Sequence, residues 1–235
     1  MTKGVNSVRT RPLLLGAAVL LMATACGSTE PPAVAPSSTS PNSSAPPASQ
    51  APPASVPADK DPSTTIEGIE IHPYASRNHI QAPQRVAYDQ SPPFGGNHDA
   101  VWATCNGVVY TKAVRNEHMV HALEHGAVWI AYNPELVTGD ALAKLAQKVT
   151  NQPYTLMSPY PGLDKPVSLQ SWGHRLKLAD PADPRVDQFV KALRQNSYTF
   201  PEPGATCDPT GVFDETNPPP FDPTPPGAGA VPVGS

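Results

Sequence analysis

Proline placement constrains this chain more than any other feature. Of 32 prolines in 235 residues, ten fall between Glu30 and Ser63 and seven follow Glu215. Segments of that kind, with few large apolar side chains, do not bury enough surface to offset the entropy of ordering. The middle of the chain, about 150 residues, is long enough for one core and too short for two. The expected layout is a leader over 1–25, a disordered Pro/Ser-rich tether over 26–64, a globular domain over 65–213 and a disordered Pro/Gly-rich tail over 214–235.

The leader has a basic start (Lys3, Arg9, Arg11) followed by an apolar stretch from Leu13 to Ala25. That stretch is short for a bilayer span and suits a secretory signal. No second hydrophobic run follows, which excludes a multi-spanning membrane protein. Ala23-Thr24-Ala25-Cys26 resembles a bacterial lipobox, with Cys26 as the lipidated first residue of the mature chain; the alternative is ordinary cleavage near Ala25 and a secreted protein. Loss of the three leader cations takes the formal charge from −4 to −7, and no basic stripe remains to attract nucleic acid. With Cys26 modified, Cys105 and Cys207 are left in an oxidising compartment, where a disulfide is favoured over two reactive thiols that lack a C-x-x-C spacing.

Within the middle region, hydrophobic periodicity predicts strands at Ile66–Ile71, Arg85–Tyr88, Gly107–Thr111, Ala127–Tyr132, Tyr154–Met157 and Pro166–Trp172. Helices are predicted from Asn116 to about His125, from Asp140 through Val149, and around Val186–Leu193. The class is α/β or α+β in a single small domain. From Gly107 onward the order is β-α-β-α-β-β-α, that of a thioredoxin-like fold without its redox motif.

Chemistry concentrates in Glu117–His125, where His118, His121 and His125 lie within eight residues. On a helix, His121 and His125 are four apart and share a face, with His118 three before His121. His98, in the loop Ser91–His98 (SPPFGGNH), is the candidate donor from elsewhere in the fold, with Glu124 and Asp99 as supporting carboxylates. Imidazole suits zinc or copper, and Met119 or Met157 could add sulfur for copper(I). The same letters spell H-x-x-E-H, a zinc-peptidase pattern in which Glu124 would be the general base. The plain alternative is that these histidines hydrogen-bond to the SPPFGGNH loop and only brace it.

The blocks SPPFGGNHDAVWATC (91–105), VHALEHGAVWIAY (120–132), SPYPGL (158–163), SWG (171–173) and PEPGATC (201–207) together resemble the bacterial family catalogued as domain of unknown function 3105. Asn106 departs from the pattern, which has glycine after the first cysteine of these blocks. The resemblance implies a secreted or lipid-anchored protein with no established activity, and places His98, His121, Glu124, His125, Cys105 and Cys207 in the family's shared blocks. The combined expectation is a lipoprotein on the outer face of the cell membrane, held through Cys26, with a His-rich site for zinc or copper and an envelope protein as partner. Its rivals are a structural lipoprotein and a zinc hydrolase.

Overall fold

The computed structural model describes residues 56–234; the leader, Cys26 and most of the tether fall outside them. Among the described residues, no helix is long and apolar enough to cross a membrane. A 3-10 turn (Pro62–Thr65) precedes β1 (Glu70–Ile71), β2 (His79–Ile80), β3 (Val86–Ala87), β4 (His98–Asp99) and β5 (Asn106–Val109). There follow α1 (Asn116–Glu124), β6 (Val128–Tyr132), α2 (Gly139–Gln147), β7 (Thr155–Pro159), β8 (Val167–Ser171), β9 (His174–Leu178), α3 (Arg185–Leu193) and β10 (Val231–Pro232).

A mixed sheet in the order β1-β9-β8-β6-β7-β5 forms the middle layer. Its central strand, β6, is buried at all five residues because both faces are covered. Alternation along a strand sends successive side chains to opposite faces. Trp129 and Ala131 therefore join one core with Phe94, Met119 and Leu123, while Val128, Ile130 and Tyr132 join another with Leu145, Leu176 and Phe189. Helix α1 supplies the first core, and α2 and α3 supply the second. The unbroken run AVWIAY is the sequence image of a strand buried on both sides.

The α/β class and the three helices match the sequence expectation, and the order from Gly107 gains one strand, β9, which pairs antiparallel with β8. Strand β9 (HRLKL) carries two cations among its five residues, which masks it in a hydropathy reading. The first expected strand shrinks to β1, because Ile66 is buried at the end of the 3-10 turn instead.

Both flanks of the domain depart from their expected boundaries. At the N-terminal side the folded domain already includes Asp61, which is 3% exposed. Its carboxylate accepts hydrogen bonds from Ser63 (backbone N, 3.0 Å) and from His174 Nε2 on β9 (3.0 Å). Burial pushes this carboxyl up, but the His174 and Ser63 hydrogen bonds outweigh it and hold the group below the usual carboxylate value. A depressed carboxyl contributes stability that is present above its unfolded value near pH 4 and lost as pH falls through the folded one. Asp61→Asn is therefore expected to cost about 1–3 kcal/mol at pH 7 and much less at pH 2, read as denaturant midpoints at the two pH values. An equal loss at both would contradict this linkage.

The C-terminal tail, expected to be disordered, instead lies on the domain. Strand β10 pairs in parallel with β3, Val114 bridges Pro220, and Val233 is buried. Phe221 N donates to Ala113 O, Arg115 N to Pro219 O, and Asn97 N to Val233 O. Arg85 Nη1 meets Asp222 Oδ2 at 2.9 Å. Composition misses this because the tail needs no core of its own: a preformed surface presents unpaired backbone groups, and the tail's carbonyls satisfy them.

Candidate metal centre

Strand β4 sits against α1, and the two bring the histidine chemistry together. The loop before β4 is fixed by close approach. Gly96 has φ +90°, and a Cβ there would lie 2.5 Å from the Val233 carbonyl oxygen. Only glycine meets both demands. The turn leaves the Gly96 carbonyl oxygen 2.8 Å from His98 Nδ1. At the other end Gly126, at φ +86°, ends α1 just past Glu124.

Four side chains converge: His79, His98, His121 and Glu124 each present one donor atom, and all four atoms lie within 4.8 Å of one another. His121 and Glu124 are three apart on α1 and share its face. His98 comes from β4, and parallel pairing of β2 with β4 places His79 beside it in register. His98, His121 and Glu124 are buried, whereas the His79 side chain is 45% exposed.

Proton placement at this cluster follows from its acceptors. His98 Nδ1 donates to Gly96 O (2.8 Å) and His121 Nδ1 donates to Asp99 O (2.6 Å). A carbonyl oxygen only accepts, so in a neutral ring the proton sits on Nδ1 and Nε2 carries a lone pair. Burial, reinforced by neighbouring His98 and His125, pushes His121 down to about 2, so its ring is neutral at ordinary pH.

His98 Nε2 lies 2.7 Å from Glu124 Oε2, with both side chains essentially inaccessible to solvent. Yet neither atom makes a hydrogen bond; the contact is close but out of line for one. With the His98 ring neutral, two buried lone-pair atoms at that separation call for a positive charge that both can face. Bracing the far ring nitrogen on a backbone carbonyl while the near one is left free is the usual support of a metal-ligating histidine.

Other predicted residues go elsewhere. His118 Nδ1 donates to Val101 O (2.6 Å), and burial lowers its pKa. It lines a cleft of about 640 Å³ with Arg85, Tyr88, Arg115 and Phe213, and is not a member of the cluster. His125 Nδ1 donates to Thr206 O (2.7 Å), its Nε2 lies 3.6 Å from Glu202, and its pKa is lowered chiefly by burial. It too stands outside the four. Asp99 supports the site through its backbone, which holds His121, while its carboxylate pairs with Arg115 at 2.5 Å. Met119 and Met157 are packed into the two cores, one on each face of the sheet.

The H-x-x-E-H reading requires His121 and His125 on the metal with Glu124 free to act as base. Here Glu124 is itself among the donors and His125 is not. His79 was missed by sequence reasoning, since it lies far from the helix in the chain and belongs to no spaced pattern. The disulfide is formed between Cys105 and Cys207, with Cα atoms 4.8 Å apart.

The family model described as protein of unknown function (DUF3105) matches residues 79–209. The chain belongs to this family. The matched region begins at His79 and contains the four donors and both cysteines. No curated protein and no solved structure matches the chain.

Proposed function

We propose that this DUF3105 protein is an extracytoplasmic lipoprotein, anchored through Cys26, whose domain binds one transition-metal ion through His79, His98, His121 and Glu124. The observation that carries the reading is the buried His98 Nε2–Glu124 Oε2 contact of 2.7 Å with no hydrogen bond between them. Three imidazoles and a carboxylate suit zinc or copper(II). The role is binding and presentation of the ion to an envelope partner. The H-x-x-E-H form of hydrolysis is disfavoured, because Glu124 stands among the four donors and is not free to act as its base.

Metal analysis of the full chain tests the proposal. About one zinc or copper per chain is expected, with loss in the His98→Ala/His121→Ala double variant. Free metal at about 100 times its dissociation constant adds about 2.7 kcal/mol, a rise in melting temperature of about 5–10 °C that the variant lacks. A specific observation favours the bracing role as a second reading: His98, His118, His121 and His125 each have Nδ1 on a backbone carbonyl. If bracing is all they do, the double variant is less stable and the wild-type chain carries no metal.

A further inference from the structure

The four donors are not equivalent. His98 and His121 are buried and pinned through Nδ1, and Glu124 is buried beside them. His79 is the one exposed donor of the four and stands on a two-residue strand; its ring stacks on His121 (centroids 4.7 Å apart, 25° between planes), meets the His98 ring edge-on (5.0 Å) and brings Nε2 to 3.7 Å from Glu124 Oε2. Two residues earlier on the same extended segment is Arg77, 54% exposed, with Nε 4.0 Å from Glu124 Oε1. Residues two apart on extended chain point the same way, so Arg77 borders the side of the site that His79 occupies.

Building on the metal reading, we infer that His79 is an exchangeable ligand and that a small anionic donor takes its place on the ion, guided by Arg77. The step is a ligand substitution. The bond from His79 Nε2 to the metal breaks, a lone pair of the incoming anion forms the new bond, and no oxidation state changes. Charge favours an anion: a divalent ion offset by the Glu124 carboxylate alone, with Arg77 adjacent, leaves net positive charge in a largely buried site. Release of His79 leaves two imidazoles, one carboxylate and an open position, the pattern of metal sites that accept an outside ligand.

Cobalt(II) loading of the full chain, with azide as the anionic probe, tests this through the visible absorption of the ion. Wild-type protein is expected to take up one cobalt and to change spectrum with azide. His79→Ala should retain one cobalt, bind azide at lower concentration, and release metal to a chelator about 10–100-fold faster. Arg77→Gln should keep its cobalt and bind azide about two- to fivefold more weakly, the range of an exposed charge interaction. Complete loss of cobalt in His79→Ala, or a wild-type spectrum unmoved by azide, overturns the inference and leaves the metal reading standing. No cobalt uptake by the wild-type chain overturns both.

Discussion

Reduction of the Cys105–Cys207 bond is expected to cost the domain about 4–5 kcal/mol, the loop-entropy value for a cross-link closing about 100 residues. The two cysteines are 102 apart in sequence and both are buried. The effect should also be local, because the segment that the bond fastens supports the end of α1. Glu202 N donates to Glu124 O, and Thr206 O receives His125 Nδ1. Denaturant unfolding of Cys105→Ser/Cys207→Ser, beside oxidised and reduced wild type, measures the loss. A difference below about 1 kcal/mol would mean that the docked C-terminal tail already restrains the chain and the cross-link is redundant.

Glu124→Gln is expected to change two properties in opposite directions. In metal-free protein it should raise stability by about 1–3 kcal/mol, because it replaces a buried carboxylate, one oxygen of which lies 2.7 Å from His98 Nε2 without a hydrogen bond, by a neutral group. In the presence of zinc it should remove most of the metal-dependent rise in melting temperature, since an amide is a poor substitute for an anionic ligand. Thermal unfolding of both proteins with a chelator and with excess zinc gives all four values. A variant less stable under every condition would identify Glu124 as a structural residue, and the site would lose its main support. Sites that bind ligands are where stability is commonly sacrificed to function, and opposite signs would be the mark of that trade.

From the sequence the bracing and metal readings of the histidines are alternatives, yet the geometry allows one ring to serve both. Nδ1 braces the backbone while Nε2 of His98 is left facing Glu124. A sequence shows a histidine as one letter, whereas its two nitrogens have separate partners. His118 and His125 illustrate the limit: helical spacing places them near His121, but each ring turns to a carbonyl outside the cluster, Val101 O and Thr206 O.

Local order was legible wherever the cause was local. The apolar run of β6, the apolar stripes of α2 and α3, the span of α1 and the pairing of the last two cysteines all follow from neighbours in sequence or from the number of thiols. The shared face of His121 and Glu124 follows from the helical repeat alone. Tertiary structure decided the rest. The parallel register of β2 on β4 brings in His79, and the fold also decides which histidines turn away and how a proline-rich tail can be ordered through backbone hydrogen bonds to a finished surface. The physical reason is range: periodicity records which face of an element a residue occupies, while the meeting of two elements depends on pairing and packing that no local spacing encodes.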